Sequence, residues 1–384
     1  MKDKFKKITD FIYSAYGNKR EIPLHEPKFT GNEKKYINDC VDSTYVSSVG
    51  EYVERFEQIT ASYTGAKYAV ATVNGTAALH IALLLVGVRQ DDEVITQPLA
   101  FVATANAIQY CRAYPVFIDI DRDTLGLSAE KLEEFLSTET QVKDNGFTYN
   151  KTTGKRISAC VPMHTLGHPA KIDTIKEICC DRNIALVEDA AEAMGSLYKK
   201  KHTGRYGIIG VLSFNGNKII TTGGGGMIIT DDKDLAEKAK HITTQAKVPH
   251  KWEFVHDMTG YNYRMPNINA ALGCAQMEML DSFIMSKRKL ADKYKIYFDR
   301  EGISFFTEPE GSRSNYWLNA IVMNDREERD GLLEYSNQKS IMTRPLWTPI
   351  YGLDMYKDCY RGNTENTEWL FDRIVNIPSS VTYS

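Results

Sequence analysis

The sequence predicts an α/β fold with a mostly parallel central sheet, covered by helices and followed by a smaller C-terminal α/β domain. Short apolar runs of strand length alternate with helical patterns from about residue 68 to 242, and such alternation is typical of parallel sheets with helical crossovers. A long helical pattern follows, from Asn269 to about Arg300. We interpret it as the link between a large domain, 1–265, which includes an N-terminal helical segment, and a small domain, 266–384.

The elements follow from apolar periodicity and turn residues, taken in chain order. The patterns predict helices at 3–16, 76–88, 101–108, 128–135, 172–180, 234–242, 269–300 and 326–337. They predict strands at 68–73, 93–96, 116–119, 159–163, 184–189, 211–214, 226–230, 303–306 and 316–323. The polar stretch 137–156 contains the pairs Asn145-Gly146 and Thr153-Gly154, which predict a surface hairpin or excursion.

Composition excludes several classes of function. The 384 residues carry a net charge of −3 and no polybasic cluster, so nucleic acid is not an expected partner. The longest apolar run, Ile81 to Val88, is too short to cross a bilayer, and no membrane partner is expected. The seven cysteines are scattered without a CxxC pair, which favours reduced thiols, a cytoplasmic location and no metal site.

Lys218 stands in an unusual stretch. An apolar run ends at Ser213-Phe214, a polar turn follows, and Lys218 then precedes the four consecutive glycines Gly223–Gly226. A lysine in a glycine-lined, partly dry pocket loses hydration, which favours the neutral amine that attacks a carbonyl to form a Schiff base. On this stretch alone, a solvated loop with a surface lysine is an equally good interpretation.

Asp189 follows a second run of strand length, Ile184–Val187, and is itself followed by small residues and Glu192. In open α/β sheets, ligands bind at the carboxyl ends of the strands. A buried carboxylate at that point needs a cationic partner, and a protonated pyridine nitrogen is one such partner.

Asn74-Gly75-Thr76 lies between a predicted strand and a predicted helix. The N–H groups at a helix N-terminus bind anions, so a phosphate fits here, although a simple strand-to-helix turn capped by Thr76 is the alternative. Phe101 begins the predicted helix 101–108 and could lie against an aromatic ring. The alternative is a core residue, which is the usual role of a lone Phe.

Together these motifs resemble the fold-type I pyridoxal phosphate (PLP) enzymes, and most closely the sugar aminotransferases of the DegT/DnrJ/EryC1/StrS family. The resemblance covers nearly the whole chain. Its most specific motifs are Glu188-Asp189-Ala-Ala-Glu192, Ser213-Phe-x-x-x-Lys218, Gly223–Gly226 and Gly260-Tyr-Asn262-Tyr-Arg264. The segments Pro23–Pro27, Tyr45–Gly50 and Thr343–Trp347 are most similar to the LegC/PglE subgroup.

The resemblance implies a role for each matching residue. Lys218 would form the Schiff base with PLP and transfer protons, and Asp189 would keep the pyridine nitrogen protonated. Gly75, Thr76 and Ser213 would hold the phosphate, and Phe101 would cover the ring. Asn262 would complete the phosphate site of a neighbouring subunit, which implies a homodimer with shared active sites.

Two positions differ from the common family pattern. Glu192 stands where many members have glutamine near the phenolic oxygen of the cofactor, so its protonation state matters for the hydrogen bonds there. Gly224 replaces an acidic residue of the glycine run. The lysine at position 218 argues against the dehydratase branch of the family, which has histidine there.

The resemblance also implies the substrates. The amino donor would be L-glutamate, and the acceptor a nucleotide-linked 4-keto-6-deoxy hexose, a UDP- or GDP-linked 2-acetamido sugar of legionaminic acid or bacillosamine-type glycan synthesis. Ser47, His164, Arg344 and Trp347 are candidate substrate contacts. For each of these a structural role is the alternative: a helix cap for Ser47, a satisfied histidine, an ion pair for Arg344 and a core tryptophan.

Two other functions remain open at this point. A C3-aminotransferase acting on a nucleotide 3-keto sugar would use the same scaffold. A PLP-binding sensor or scaffold without turnover is the alternative from another class, but such sensors usually carry an added DNA-binding domain, for which this chain has neither spare length nor basic charge.

Overall fold

A computed structural model describes residues 1–382 of the chain. Helices form where the sequence has apolar residues at helical spacing, and most of them bury one face. In chain order the helices are α1 (Lys2–Ala15), α2 (Glu33–Asp42), α3 (Glu51–Thr64), α4 (Gly75–Leu85), α5 (Ala103–Tyr110), α6 (Ala129–Thr138), α7 (Ile172–Asp181), α8 (Lys233–Thr243), α9 (Asn267–Arg300), α10 (Arg326–Gln338) and α11 (Glu365–Phe371). Short 3-10 turns occur at Thr165–Gly167 and Ile350–Gly352.

The strands are short and mostly buried. They are β1 (Tyr68–Thr72), β2 (Glu93–Thr96), β3 (Tyr114–Phe117), β4 (Thr140–Val142), β5 (Thr148–Asn150), β6 (Arg156–Val161), β7 (Ala185–Asp189), β8 (Leu197–Tyr198), β9 (Lys201–His202), β10 (Ile209–Ser213), β11 (Gly226–Thr230), β12 (Ser304–Phe305), β13 (Ser312–Arg313), β14 (Asn319–Val322), β15 (Arg344–Pro345) and β16 (Ile374–Ile377).

The central sheet has the order β1-β11-β10-β7-β6-β2-β3. Neighbours from β10 to β3 are parallel, whereas β11 is antiparallel to both β1 and β10. The mostly parallel sheet predicted from the sequence is therefore confirmed. Because β1 runs in the same direction as β10, its carboxyl end lies at the same edge as those of the other parallel strands.

The stretch 137–156 forms the predicted hairpin. β4 and β5 pair antiparallel around a turn in which Gly146 has φ +77°, and β5 also pairs with β6. The hairpin therefore joins the sheet at the amino end of the interior strand β6, away from the carboxyl ends of the parallel strands.

A second, antiparallel sheet lies in the C-terminal part, with the order β12-β14-β16-β15. The helix α9 has 34 residues, about 51 Å at 1.5 Å per residue, and packs against α2 and α3 at one end and β12 at the other. Apolar residues of α1, including Phe5 and Ile8, share a core with Leu332 and Val375. The N-terminal helix thus packs on the C-terminal sheet, because that sheet offers the apolar surface that its buried face requires.

Residues 1–382 contain neither a membrane-spanning helix nor a cluster of metal ligands. No helix in this range is long and apolar enough to cross a membrane. The same range contains no group of three or more His, Cys, Asp or Glu side chains placed to hold a metal ion.

Candidate active site

A cleft of about 310 Å³ opens at the carboxyl ends of the parallel strands, a volume suited to a small-molecule ligand. Four segments of the chain meet there: the β1–α4 turn, the start of α5, the end of β7 and the segment after β10. Two tryptophans of the C-terminal part also line it. The lining residues are Asn74, Gly75, Thr76, Leu79, Phe101, Ala103, Thr104, Met163, Asp189, Ala191, Glu192, Ser213, Asn215, Asn217, Lys218, Trp317 and Trp347.

The N-terminus of α4 forms one end of the cleft. Asn74, rather than Thr76, caps this helix: its side chain accepts a hydrogen bond from the Ala77 N–H at 2.8 Å. The first N–H groups of a helix have no acceptor within the helix, and those of Gly75 and Thr76 belong to residues that line the cleft. A Cβ on Gly75 would lie 3.0 Å from the Ser213 Cβ, so glycine allows the close approach of these two segments.

The glycine run Gly223–Gly226 is also explained by close contacts. A Cβ on Gly226 would lie 2.4 Å from the Asn74 carbonyl oxygen, and one on Gly225 would lie 2.2 Å from the Thr222 hydroxyl. Gly223 has φ +78°. A Cβ on Gly224, by contrast, would make only an ordinary contact, 3.7 Å from the Val73 carbonyl. Space therefore does not explain why this chain lacks an acidic residue at position 224.

Asp189 lies at the end of β7 and is only 3% exposed. Its Oδ2 accepts a hydrogen bond from the Thr104 hydroxyl at 2.7 Å, and its Oδ1 accepts one from the Ala191 N–H at 3.1 Å. No lysine, arginine or histidine within residues 1–382 forms an ion pair with this carboxylate. A buried carboxylate in this state can be stabilised by a cationic group of a ligand.

Glu192 and Lys218 face each other across the cleft. The Lys218 Nζ donates to the Glu192 Oε1 at 3.2 Å, and the Leu166 N–H donates to the Glu192 Oε2 at 2.8 Å. Burial raises the pKa of Glu192 to about 7, although the charge of Lys218 and the Leu166 N–H oppose this shift and Asp189 adds to it. The hydrogen bonds that Glu192 makes at this sequence departure therefore depend on pH near neutrality.

Phe101 also lies at the cleft, with 52% of its surface exposed. It precedes α5 by two residues, and Thr104, the partner of Asp189, lies one turn further on. The exposed ring is available to cover a flat ligand.

The four candidate substrate residues fall into two groups. Trp347 lines the cleft, whereas Ser47, His164 and Arg344 do not. Ser47 is exposed, and its carbonyl accepts a hydrogen bond from the Asn267 N–H at 2.6 Å; α3 is capped at Gly50 without a side-chain hydrogen bond. The Arg344 Nη1 donates to the Asn337 side chain at 3.0 Å on the outer side of β15.

His164 is fully buried behind the cleft. Its Nδ1 accepts a hydrogen bond from the Ala170 N–H at 3.1 Å, so the proton of the neutral ring is on Nε2, which lies 3.0 Å from the Glu188 Oε2. The residue is therefore a satisfied structural histidine in this subunit.

Asn262 does not line the cleft of its own chain. It is exposed in the excursion between α8 and α9, where its Oδ1 accepts a hydrogen bond from Arg264 at 3.2 Å. Trp252 and Phe254, in the same excursion, are 73% and 80% exposed. That Asn262 serves a neighbouring subunit remains a prediction.

Sequence reasoning missed several residues of the cleft. Thr104 could have been found, because it lies three positions after Phe101 on the same helical face. Trp317, which has the Lys218 Nζ 4.0 Å from its ring centroid, gives no such signal, since it comes from the C-terminal part of the chain. Asn215 and Asn217 stand beside Lys218 in the polar turn, where asparagine is common for conformational reasons alone and so gives no functional signal.

The residues present fit pyridoxal phosphate. The helix N-terminus at Gly75 and Thr76, with the Ser213 hydroxyl, offers donors for a phosphate. Lys218 offers an amine for a carbonyl, and Asp189 offers a buried carboxylate without a counter-ion for a ring nitrogen. These three features lie in one cleft.

Comparisons with known proteins agree with this fit. The profile of the DegT/DnrJ/EryC1/StrS aminotransferase family matches residues 27–384. The chain is 39% identical over 360 residues to a GDP-perosamine synthase of Escherichia coli O157:H7, covering 93% of each protein. It is 36% identical over 338 residues to a GDP-perosamine synthase of Vibrio cholerae, covering 88% of this chain and 87% of that one.

A solved structure shares the fold. The aminotransferase TlmJ from Streptoalloteichus hindustanus superposes with a TM-score of 0.85 at 27% identity, covering 95% of both chains. With the family profile and the named relatives, this identifies the activity and the cofactor. The chain belongs to the DegT/DnrJ/EryC1/StrS aminotransferase family and is a pyridoxal phosphate-dependent sugar aminotransferase.

Proposed function

We propose that this protein transfers the amino group of L-glutamate to C4 of a nucleotide-linked 4-keto-6-deoxy hexose. The observation that carries the proposal is the convergence of Lys218, Asp189 and the α4 N-terminus on one cleft. The choice of C4 is supported by the relatives, since GDP-perosamine synthase is a C4 aminotransferase. The same relatives support GDP as the nucleotide, whereas the Pro23–Pro27 and Tyr45–Gly50 segments favour a 2-acetamido sugar.

Pyridoxal phosphate, when bound, supplies a carbonyl that takes up the amino group and a ring that withdraws electrons. Lys218 would hold the cofactor covalently and, when its amine is free, remove a proton from the carbon that bears the donor's amino group. Asp189 would hold a proton at the pyridine nitrogen. Glu192, 3.2 Å from the Lys218 Nζ, would keep the amine pointed into the cleft.

We further infer that a second copy of the chain completes the site. L-glutamate carries two carboxylates and the sugar nucleotide carries a diphosphate, yet Lys218 is the one basic residue among the described residues that line the cleft. The excursion with Asn262 also carries Lys247 and Lys251 and exposes Trp252 and Phe254, as expected of a surface covered by another subunit. A monomeric mass in light scattering of the active enzyme would contradict this inference.

The first test is the visible absorption of the purified protein before and after L-glutamate. We expect a yellow species that bleaches with glutamate in the wild type and in Lys233→Ala, which alters an exposed lysine of α8. Lys218→Ala should lack the lysine-linked species and lose amino transfer by at least about a hundredfold.

NMR of the product formed from a GDP- or a UDP-linked 4-keto sugar then gives the position of the amino group and the preferred nucleotide. An amino group at C3 would replace the C4 assignment. A wild-type protein that stays colourless after incubation with pyridoxal phosphate would overturn the proposed roles of Lys218 and Asp189.

A further inference from the structure

Trp317 brings the C-terminal part of the chain into direct contact with Lys218. The Lys218 Nζ lies 4.0 Å from the centroid of the indole ring. The indole N–H points the other way and donates to the Asn217 carbonyl at 2.7 Å, so the ring is tied to the turn that carries the lysine. Trp317 is 4% exposed and lines the cleft.

The segment that carries Trp317 is also tied to Glu192. The Asn315 side-chain amide donates to the carbonyls of Glu192 and Met194, at 2.9 Å each. The Asn315 Oδ1 accepts from the Trp317 N–H at 2.8 Å. Tyr316, between them, has the left-handed φ of 48°; on one side of this turn Trp317 lines the cleft, and on the other the Asn315 side chain is buried against the Glu192 backbone. One short segment therefore fixes the backbone of Glu192 and the side chain of Lys218.

We propose that Trp317 is a positioning residue for Lys218, holding the free ammonium against the indole face and beside the Glu192 carboxylate. The inference rests on the proposed function, because in the enzyme loaded with cofactor a free Lys218 amine would arise only after the amino donor has replaced it. Trp317 then keeps the amine in place for proton transfer.

The physical reason lies in the type of contact. Lys218 already faces one carboxylate, Glu192, and the cleft also holds the carboxylate of Asp189. On another side the lysine contacts the neutral Trp317 ring. The charges of Lys287 and Lys218 also reach His25, whose pKa is lowered by burial and by these charges. An aromatic face attracts the ammonium without a further negative charge, so the Trp317 ring positions the Lys218 amine without adding another anion beside it.

The test compares full-length Trp317→Leu, which removes the ring, with Trp317→Phe, which keeps a weaker aromatic face. Trp369→Leu is the matched control, since Arg122 lies 4.5 Å from that ring and Trp369 does not line the cleft. In the cofactor-free proteins, an amine-reactive acylating reagent labels Lys218, and peptide mass spectrometry follows the labelling rate from pH 6 to 11. The plateau of this curve reports access to the amine, whereas its midpoint reports how strongly the ammonium is held.

We expect the midpoint of the labelling curve to lie about half to one pH unit lower in Trp317→Leu than in the wild type. This shift corresponds to an interaction with the ammonium that is about three- to tenfold weaker. Trp317→Phe should shift less in the same direction, and Trp369→Leu should not shift. In the loaded enzymes, kcat should fall by a similar factor while KM for glutamate changes little.

An unchanged midpoint in Trp317→Leu would overturn the inference, and so would a KM effect without a kcat effect, since that would make Trp317 a substrate contact. If Trp317→Leu does not fold, Trp317→Phe carries the test with its smaller shift. These results are distinct from a failure of the proposed function, in which the wild type itself would neither bind the cofactor through Lys218 nor transfer the amino group.

Discussion

Two buried carboxylates four residues apart, Glu188 and Glu192, lie in contrasting surroundings on the two sides of the strand end. Glu188 faces the pocket behind the cleft, where His164 lies 3.0 Å from its Oε2 and the N–H groups of Gly204 and Gly207 donate at 2.8 and 2.6 Å. Burial opposes its ionisation, but the hydrogen bond from His164 and these N–H groups outweigh burial and lower the pKa of Glu188.

Glu192 faces the cleft and has fewer partners, the Lys218 amine and the Leu166 N–H. Here burial prevails and the pKa is raised to about 7. Asp189, between the two in sequence, has a hydroxyl and one N–H as partners. A buried carboxylate whose oxygens all accept hydrogen bonds from the fold, as in Glu188, has a structural role. A buried carboxylate with fewer such donors, as in Glu192 or Asp189, is available to bind a ligand or a proton.

The largest expected effect is on kcat and comes from Asp189, a carboxylate that lines the cleft. Asp189→Asn should lower kcat by about a hundred- to a thousandfold, because a neutral amide no longer stabilises a proton on the ring nitrogen. The fold should tolerate the change. The Thr104 hydroxyl can turn to accept from the new amide, and the retained Oδ1 still accepts from the Ala191 N–H. Steady-state kinetics measure the loss of kcat, and the melting temperature shows whether the fold tolerates the substitution.

Wild-type kcat in Asp189→Asn would remove Asp189 from the ligand side of the comparison. A large fall in melting temperature without a change in kcat would place it with Glu188 as a structural acid.

The second prediction concerns Glu188→Gln, which should cost about 3 kcal/mol of folding free energy at neutral pH. Every orientation of the new amide puts an NH2 group against a donor, either His164 and Gly204 or Tyr206 and Gly207. Chemical denaturation measures this loss. The kcat of the folded fraction should remain within a fewfold of the wild type, because Glu188 does not line the cleft.

Wild-type stability in Glu188→Gln would show that the donor set around this carboxylate does not hold it. The control is Asp299→Asn, the same carboxylate-to-amide change at an exposed residue of α9 that forms an ion pair with Lys295. It should alter the free energy of unfolding by no more than about 0.5 kcal/mol.

The sequence predicted the central strands and the cleft residues at their ends well, because local patterns determine them. β2 occupies the predicted residues 93–96, and Asp189 ends β7 as expected of an acid after an apolar run. Lys218 and Gly75 meet in one cleft because both follow parallel strands, and topology alone brings such strand ends together.

Contacts between distant residues could not be predicted in this way. Trp317 lies 99 positions from Lys218, and nothing in its local sequence differs from a core tryptophan. The same holds for α1, whose apolar face indicated a helix but not the C-terminal sheet on which it packs. At the α4 N-terminus, both Asn74 and Thr76 are good caps, and only the structure distinguishes them.

The smallest predicted effect separates the two glutamates by the sign of their pH dependence. The pKa of Glu192 is raised in the folded protein to about 7, so the stability of the cofactor-free protein should fall as pH rises from about 4.5 to 7. Glu192→Gln should abolish this fall, and relative to the wild type it should gain roughly 1–3 kcal/mol between pH 5 and pH 8.

Glu188 behaves in the opposite way. Its pKa is lowered in the folded protein, so its contribution to stability is present above the unfolded value near 4.5 and is lost as pH falls through the folded value. The deficit of Glu188→Gln should therefore shrink in acid, whereas the gain of Glu192→Gln should grow in base. Chemical denaturation of the cofactor-free wild type and both variants across this pH range measures both effects. If the stabilities of both variants deviated from the wild type at the same end of the pH range, the contrast between Glu188 and Glu192 would be wrong.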